Sequence, residues 1–571
     1  MRARQALSTP DAENRPKVTG TLLEETTTTA PATLSNKPER RFWGWGYLRD
    51  SIADDEKRKV DALLAWLGGG GAAVSEPRVG DFKLAPPRIA APASLTSILS
   101  SSAYDRLTHC YGKSFADVAR MWMREAFNAP DWVAFPRSES EIVDVLDWAS
   151  RSRVAVVPFG GGTSVVGGVE AALDGETRNQ YVASLSLDME RFDRVLEVDR
   201  ISRAARIQAG VLGPDLESQL RESGLTLRHF PQSFQFSTLG GWIATRAGGH
   251  YATLYTHIDD FVENTRMVTP AGVIETRRLP ASGAGPAPDR LVIGSEGTLG
   301  VITEAWMRLQ DRPRFRASTS VRFKNMQAAV QGVRALSQSG LHATNCRLLD
   351  PAEVVFSGVG DRKSPTLVLG FESADHGVQA WMARALELVA DHGGQWDAET
   401  VDREGEHRKG AAGAWRDAFI RMPYLRDETT RRGAILDTFE SAITWDRFEA
   451  FYEGVLEDAG EAIARITGSQ APVSCRFTHV YPDGPAPYFT YAAIGSRDGD
   501  LRSAVAKWRE IKAASNAAVV KHGGTSTHHH AIGRDHRSAY EIEVPALMRA
   551  ALAGAKKVMD PAGVMNPGCL F

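Results

Sequence analysis

The sequence predicts an α+β protein of several packed domains, and three observations lead to this prediction. The chain has 571 residues, more than one hydrophobic core usually organises. Between about 126 and 311, strand and helix patterns alternate and are joined by glycine-rich loops. After about 317, two more strand–helix pairs follow, which is typical of a sheet covered by helices.

The N-terminal part of the chain divides into a tail and a helical region. Residues 1–36 are rich in Thr, Ala and Pro and carry no apolar periodicity, which predicts a disordered tail. Order is expected to begin at the aromatic cluster around Trp43. Residues 37–125 predict mostly helix, broken by the glycine run 68–71 and by Pro86–Pro87.

The next segment has the pattern of an α/β domain. Ser138 and Glu141 form a capping-box pair ahead of an apolar helix face. Val154 to Val157 predicts a short buried strand, and residues 181–187 alternate as a half-buried strand does. We therefore predict a first α/β domain over 126–311.

A second α/β pattern follows. Residues 319–323 predict a strand that leads into a helix, and Thr366 to Phe371 predicts another strand ahead of the helix 377–391. Residues 312–540 are expected to form a second domain, and 541–571 a separate C-terminal segment.

Composition excludes several classes of protein. The formal charge is −3, from 67 Lys plus Arg against 70 Asp plus Glu, so nothing favours nucleic-acid binding. No apolar run approaches the ~20 residues of a membrane span, and no apolar stretch follows the basic N-terminus as in a signal peptide. The four cysteines are Cys110, Cys346, Cys475 and Cys569. They lie far apart with no CxxC pair, which predicts reduced thiols in a cytoplasm and argues against a disulfide framework or a zinc site.

Three glycine-rich loops are the strongest functional signal in the first half. PFGGGTSVVGG directly follows the strand 154–157; its glycines permit positive φ and close approach to an anion, and its hydroxyls add donors. It lacks the lysine of a P-loop and the GxGxxG spacing of a dinucleotide site, so an ordinary turn also explains it. PQSFQFSTLGGWIATRAGG (231–249) and GSEGTLGVITE (294–304) repeat this chemistry. Together the loops predict a large ligand with a diphosphate and an extended apolar ring.

In the second half, the candidate catalytic residues begin with three consecutive histidines, His528, His529 and His530, in GGTSTHHHAIG. Adjacent side chains cannot all point one way, so the triplet does not predict a metal-binding face. It is compatible either with a polar surface loop or with a cleft that handles protons or an anion near neutral pH.

Three further residues each have an ordinary structural explanation. Tyr488, in YPDGPAPYFTYAA, lies on a strand-like stretch after a turn, where an aromatic often packs in a sheet. Arg347 and Arg426 lie close to apolar residues, where a lone arginine usually pairs with a nearby acid such as Asp350 or Asp427.

The order PFGGGTS, FSTLGGW and GSEGTLGVITE resembles the FAD-binding domain of the vanillyl-alcohol-oxidase/p-cresol-methylhydroxylase superfamily, and the terminal DPAGVMNPG resembles its C-terminal return to the flavin. The resemblance implies a two-subdomain FAD-binding domain with an α/β cap domain. Some members tether the flavin through a His or Cys in the first loop; none stands between Pro158 and Val169, so we predict non-covalent FAD. The resemblance assigns FAD contacts to Pro158, Phe159, Gly160, Gly161, Gly162, Thr163, Ser164, Gln232, Ser233, Phe234, Gln235, Phe236, Ser237, Thr238, Thr245, Arg246, Ala247, Gly248, Glu296, Gly297, Thr298, Leu299, Gly300, Val301 and Ile302.

Within that superfamily, the second half is similar to the alkylglycerone-phosphate synthases, the ether-lipid enzymes. The matching segments are TSTHHHAIG, VYPDGPAPYF, YLRD, CRLLD and the N-terminal FWGWGY. The resemblance implies that acyl-dihydroxyacetone phosphate exchanges its acyl group for a long-chain fatty alcohol, without net redox. It places the catalytic tyrosine at Tyr488, with the histidine triplet assisting, the phosphate-binding arginine at Arg426 and a second essential arginine at Arg347.

The resemblance also implies a homodimer, and lipid substrates suggest peripheral membrane contact. The chain ends in CLF and not in the peroxisomal SKL, so a cytoplasmic location is expected.

Two other functions remain open at this point. A D-2-hydroxy-acid dehydrogenase of the same fold usually carries a GHxGDGNxH-like metal pair and an EHG turn. Here His479 remains, but the second histidine position falls in a Pro-Tyr-Phe stretch and the turn reads HHHAIG. The other alternative is a flavoprotein scaffold whose catalytic site has lapsed; the retained Tyr, Arg and His residues argue against it.

Overall fold

The computed structural model describes residues 33–173, 179–251, 253–359, 361–397 and 411–570. Residues 1–32 of the predicted tail lie outside this range. The tail's last residues make contacts: the Ser35 hydroxyl donates to Glu190 at 2.7 Å, and the Asn36 N–H donates to the same carboxylate at 3.0 Å. Order therefore begins before the aromatic cluster around Trp43.

The N-terminal region is less helical than predicted over 37–125, because short helices alternate there with long irregular segments. Its helices are α1 (Asp54–Trp66), α2 (Ala103–Thr108) and α3 (Phe115–Trp122). Ser102 and Ser114 cap α2 and α3, since each hydroxyl accepts the N–H three residues ahead. The glycine run 68–71 and the Pro86–Pro87 pair both lie in irregular chain, as the sequence predicts.

A four-stranded sheet opens the first α/β domain. Its order is β1-β2-β4-β3, with β1 antiparallel and the other three parallel. Its elements are β1 (Leu99–Ser100), β2 (Trp132–Ala134), α4 (Glu139–Ser152), β3 (Val154–Phe159) and β4 (Ala183–Asp188). The Ser138 hydroxyl caps α4, but the Glu141 carboxylate accepts the N–H of Arg137, one residue earlier than a capping box requires.

The strand predicted over 181–187 is present as β4, but the prediction that it is only half buried is wrong. All six residues of β4 are buried, and Ser184 and Ser186 are 2% and 1% exposed. The reason is position: β4 is a central parallel strand between β2 and β3, and parallel sheets are covered on both faces.

A five-stranded antiparallel sheet completes this half, in the order β5-β6-β10-β8-β9, beside the pair β11-β7. The strands are β5 (Val195–Asp199), β6 (Ala204–Gln208), β7 (Leu225–Thr226), β8 (Val262–Thr269), β9 (Gly272–Glu275), β10 (Val301–Arg308) and β11 (Gln310–Asp311). The helices are α5 (Gly213–Arg221), α6 (Leu239–Thr245) and α7 (Asp289–Val292).

A six-stranded antiparallel sheet, in the order β12-β14-β13-β16-β17-β15, forms the second α/β unit. The strands are β12 (Phe315–Arg322), β13 (Asn345–Leu349), β14 (Thr366–Ser373), β15 (Ala434–Glu440), β16 (Val473–Val480) and β17 (Pro485–Ile494). The helices are α8 (Met326–Gln338), α9 (Pro351–Ser357), α10 (Gln379–Ala390), α11 (Ala411–Thr430), α12 (Trp445–Thr467) and α13 (Leu501–Lys521). The largest buried apolar cluster lies between this sheet and its helices.

The C-terminal segment returns to the first domain. It contains α14 (Arg537–Glu543) and α15 (Ala546–Met559). Beyond them Met565 pairs in parallel with Val156 of β3, and the Asn566 amide donates to the carbonyl of Glu296 at 2.7 Å. This return places the end of the segment beside the first glycine loop. Among the described helices, none has the length and apolarity to cross a bilayer.

Candidate active site

A deep cavity brings the three glycine loops together with the inner face of the six-stranded sheet. One side is formed by the loop after β3, the loop before α6 and the loop before β10. The opposite side is formed by β15, β16, β17 and the histidine triplet, with α11 adding residues near its C-terminal end. Residues predicted separately from both halves of the sequence thus meet in one site.

The first glycine loop has free donors that suit a diphosphate. Within the described residues, the N–H groups of residues 160–164 donate to no protein acceptor, and all five residues line the cavity. Successive backbone N–H groups of this kind form a concave anion site. Only glycine fits at position 161, because the backbone of Phe236 packs directly against it and a Cβ atom there would lie 1.7 Å from the Phe236 carbonyl oxygen. The loop therefore fits the diphosphate of FAD.

The second and third loops complete this side of the cavity. Thr238 caps α6 by accepting the N–H of Gly241, so the loop 232–238 runs directly into a helix. In the third loop, the buried Glu296 carboxylate accepts the N–H groups of Ile532 and Gly533 at 2.9 and 2.8 Å. Burial raises the pKa of Glu296, and these two N–H groups oppose the rise. Glu296 thereby ties the third loop to the segment that follows the histidine triplet.

Most of the predicted FAD contacts line this cavity. They are Pro158, Phe159, Gly160, Gly161, Gly162, Thr163, Ser164, Gln232, Ser233, Ser237, Thr238, Thr245, Ala247, Gly248, Glu296, Gly297, Gly300, Val301 and Ile302.

Six predicted contacts lie elsewhere, because the prediction covered whole segments while side chains within a segment point in different directions. Phe234 stacks on Trp242, with ring centroids 6.3 Å apart, and Gln235 is exposed. Phe236 packs against Trp45 beside a small neighbouring cavity. Arg246, Thr298 and Leu299 line a second large cavity on the other side of the triplet.

Tyr488 lies on β17 with its hydroxyl among polar partners. The hydroxyl is 2.8 Å from the Thr438 hydroxyl and 3.4 Å from Nε2 of His530. Burial raises the pKa of Tyr488, and the guanidinium of Arg476, 4.0 Å from the ring centroid, opposes the rise. Tyr488 therefore faces the cavity as a protonated phenol with a histidine in reach.

The histidine triplet forms a turn around one buried carboxylate. Glu440, at the end of β15, accepts the N–H groups of all three histidines through Oε1 at 2.9–3.0 Å. Its Oε2 is 2.9 Å from Nδ1 of His529. Burial alone would raise the pKa of Glu440, but His529 and His530 lower it well below its usual value. The triplet is thus an ordered part of the site and not a surface loop.

The three rings of this turn divide between two cavities. His529 and His530 line the cavity that contains Tyr488, whereas His528 lines the second large cavity. Burial lowers the pKa of His530 to about 3 and that of His528 well below its usual value, so both rings are neutral near pH 7.

The two arginines are not paired with their neighbouring aspartates. Within the described residues, no ion pair joins Arg347 to Asp350 or Arg426 to Asp427. Arg347 is 1% exposed and donates to the carbonyl of His250 at 2.8 Å, which leaves its Nε and Nη1 without a protein partner. Arg426 likewise has a buried, unpartnered Nε. Two cations that line one cavity with free donors suit an anionic group.

Sequence reasoning missed several residues of the site. Glu440 is the last residue of the strand β15 and belongs to no recognisable motif. Arg476 becomes relevant only because β16 and β17 place it opposite Tyr488. Lys512 of α13 lines the same cavity. Trp45 also lines the cavity, and its position in the FWGWGY segment could have marked it as a site residue.

Comparisons with known proteins agree with this geometry. Residues 130–277 match the family model "FAD binding domain", and residues 312–570 match "FAD linked oxidases, C-terminal domain". An alkyldihydroxyacetonephosphate synthase of Dictyostelium discoideum is 30% identical over 81% of this chain and 76% of its own. A probable mitochondrial D-lactate dehydrogenase of Danio rerio is 27% identical over 77% and 84%. A solved structure titled alkyldihydroxyacetonephosphate synthase shares the fold, with a TM-score of 0.73, 24% identity and coverage of 92% of this chain and 96% of that one.

The glycine loops, the family matches and the synthase relatives agree on one conclusion. The chain is an FAD-binding protein and belongs to the alkyldihydroxyacetonephosphate synthase family.

Proposed function

We propose that this enzyme converts acyl-dihydroxyacetone phosphate and a long-chain fatty alcohol into an alkyl ether of dihydroxyacetone phosphate and a fatty acid, without net redox. The observation that supports this most is the content of the cavity. A nest of backbone donors, a tyrosine–histidine pair and two arginines with unpartnered nitrogens line the same space.

FAD is held without a covalent bond in this proposal. The N–H groups of Gly160 to Ser164 would hold its diphosphate, and Thr238 and Glu296 flank the same space. No His or Cys stands between Pro158 and Val169 to form a tether. When bound, the flavin would supply a ring nitrogen for covalent catalysis, which splits the exchange into two easier steps. Acid precipitation should release all of the yellow colour into the supernatant.

Arg426 and Arg347 would hold the substrate phosphate. A phosphate dianion accepts hydrogen bonds at several oxygens, and guanidinium groups match this geometry. The buried Nε of Arg426 and the buried Nε and Nη1 of Arg347 are free for this role among the described residues. Burial lowers the pKa of Arg347 to about 9, so the side chain is still mainly protonated at neutral pH.

Tyr488 would move the proton at C1 of the substrate, which is acidic because it lies beside a ketone. The tyrosine hydroxyl contacts Thr438 and the neutral His530, so it can donate or accept through either partner. The histidine triplet would assist this transfer. A positioned acid–base pair of this kind contributes roughly 10²- to 10⁴-fold to a rate.

The first test uses the purified yellow protein with palmitoyl-dihydroxyacetone phosphate and labelled hexadecanol, without oxygen or an electron acceptor. We expect alkyl product and released fatty acid. A Tyr488→Phe variant should lose about 10²- to 10⁴-fold in this rate while keeping its flavin. Tyr255→Phe, which lies outside the cavity, is the matched control.

Two results would contradict the proposal. Full exchange activity in Tyr488→Phe would remove the tyrosine from the mechanism. No exchange, with flavin bleaching by a D-2-hydroxy acid, would identify a dehydrogenase instead.

We further propose that the enzyme works in the cytoplasm, as a homodimer in peripheral contact with a membrane. All four cysteines are buried free thiols, which suits a reducing compartment. Ile542 and Leu547, on α14 and α15, are 73% and 87% exposed and could enter a lipid surface. Co-sedimentation with phospholipid vesicles tests the contact, and analytical ultracentrifugation tests the dimer.

A further inference from the structure

The proposed reaction produces a proton that must leave the cavity. Exchange of an ester for an ether breaks the bond between C1 and the acyl oxygen and forms one between C1 and the alcohol oxygen. The products are the ether and a fatty acid, which is ionised at neutral pH because carboxyl groups have pKa values near 4.3. Each turnover therefore releases one proton, and this requirement rests on the proposed function.

The histidine triplet separates the reaction cavity from a second cavity of about 600 Å³. His529 lines the reaction cavity, and His528 and His257 line the second one. Nδ1 of His529 is 3.0 Å from Nδ1 of His528, and Nε2 of His528 is 3.0 Å from Nε2 of His257. Three imidazoles thus form a continuous chain from one cavity to the other.

Hydrogen-bond chemistry fixes where the protons of this chain lie. Nδ1 of His257 is 3.0 Å from the carbonyl of Arg246, which can only accept, so this nitrogen carries hydrogen and Nε2 of the neutral ring is an acceptor. Nδ1 of His529 faces the ionised Glu440 at 2.9 Å, so it also carries hydrogen.

The middle ring then has a single arrangement. The one hydrogen on Nδ1 of His529 is shared between Oε2 of Glu440 at 2.9 Å and Nδ1 of His528 at 3.0 Å, so Nδ1 of His528 is an acceptor. Nε2 of His528 then donates to His257, with the Tyr481 hydroxyl 2.8 Å away as a second acceptor. Burial lowers the pKa values of His528 and His257, which keeps both rings neutral and able to accept a proton. Donors and acceptors therefore point in one direction along the chain.

We propose that His529, His528 and His257 form a relay that carries the released proton from the reaction cavity to the second cavity. Nε2 of His529, which is not used by Glu440, takes the proton from the reactants. The Nδ1 proton of His529 passes to Nδ1 of His528, and the Nε2 proton of His528 passes to Nε2 of His257. His257 then gives its Nδ1 proton to water in the second cavity, at its exposed contact with the Arg246 carbonyl, so one proton enters and one leaves.

Glu440 is a positioning residue for this relay. Its hydrogen bonds to the three backbone N–H groups fix the turn, and its contact with Nδ1 of His529 fixes the ring that starts the chain. After a transfer, Nδ1 of His529 has no hydrogen to donate to the Glu440 carboxylate. This arrangement is unfavourable, so it favours the return of His529 to the tautomer that carries hydrogen on Nδ1.

The test measures proton release and alkyl product in parallel during one turnover of the flavin-loaded enzyme, in weak buffer with a pH indicator. In the unmodified enzyme, both should appear together. In His257→Asn, whose amide can still donate to the Arg246 carbonyl, proton release should lag by at least about tenfold. Added imidazole, a small diffusible base, should restore it. His376→Asn, which changes an exposed histidine outside both cavities, is the control.

Two results with His257→Asn would overturn the relay. One is proton release at the rate of the unmodified enzyme, and the other is a lag in proton release that imidazole does not shorten. The ring nitrogens of His479, His528 and His529 lie within 4.8 Å of one another, so loss of activity with EDTA and recovery with Zn²⁺ would also overturn it. If the unmodified enzyme forms no alkyl product, the proposed function fails instead.

Discussion

Glu440 explains at the residue scale how three consecutive histidines hold one conformation. Polar residues in a row would normally remain solvated, but here one carboxylate oxygen accepts three successive N–H groups. The histidines themselves were predictable as candidates from their spacing in the sequence. The carboxylate was not, because it lies 88 residues from His528 and no motif marks it.

Replacing this carboxylate by an amide tests its positioning role. Glu440→Gln keeps the size of the side chain but loses the charge, and hydrogen bonds to a charged group contribute about 1.5 to 3 kcal/mol each. We expect a lower free energy of unfolding in urea and slower exchange of acyl for alkyl groups. Glu457→Gln, on the helix α12, is the control. Unchanged stability and activity in Glu440→Gln would contradict the role.

Arg426 gives a second prediction at this scale. Arg426→Lys keeps the charge but loses the planar guanidinium, so the phosphate should lose a charge-assisted hydrogen bond of about 1.5 to 3 kcal/mol. Steady-state kinetics should show kcat/KM reduced roughly 10- to 150-fold, mainly through KM. Arg384→Lys, on an exposed face of α10, should leave the kinetics unchanged. An unchanged KM in Arg426→Lys would remove this residue from phosphate binding.

At the scale of elements, the sequence is informative where a signal is local. The loop after β3, the cap of α4 and the helix α8 all follow from neighbouring residues. Pairings between distant segments are different: that Arg476 faces Tyr488 depends on the register of β16 against β17. The burial of β4 was also unpredictable, because a strand with alternating serines looks half-exposed until its neighbours in the sheet are known.

The first glycine loop gives a prediction at this scale. In Gly161→Ala the new Cβ would collide with the carbonyl of Phe236, so the loop must move away from the segment before α6. We expect the purified variant to contain far less FAD, measured as the ratio of absorbance at 450 and 280 nm. Gly460→Ala, inside α12 with open space around its Cα, should keep its flavin and gain about 0.5 to 1 kcal/mol of stability. Full flavin content in Gly161→Ala would show that the loop tolerates this displacement.

At the scale of the whole molecule, buried neutral histidines make stability depend on pH. His530 and His229 both have pKa values of about 3 in the folded protein because burial disfavours their charged form. In the unfolded chain the pKa is about 6.5. Between these values the unfolded chain binds more protons at these two positions, so their contribution to folding stability is complete above pH 6.5 and falls as the pH is lowered towards 3.

This dependence can be measured by urea unfolding at pH 7.5 and at pH 5.5. Each of the two histidines should cost about 1.4 kcal/mol for every pH unit below its unfolded pKa. His229 lies between the rings of Trp242 and Phe261, and His229→Phe should reduce the pH dependence because one titrating group is removed. An unchanged pH dependence in His229→Phe would contradict the neutral state of this ring.

The pairing of Met565 with Val156 has a consequence for the synthesis of the protein. The strand that precedes the first glycine loop gains its last partner only after roughly 400 further residues have been translated. At about 5 to 20 residues per second this takes roughly 20 to 80 s. During that interval the nascent chain exposes the edge of β3 next to the unfinished flavin site. Ribosome-associated chaperones are therefore expected to accompany it, and FAD to join only after translation has passed residue 565.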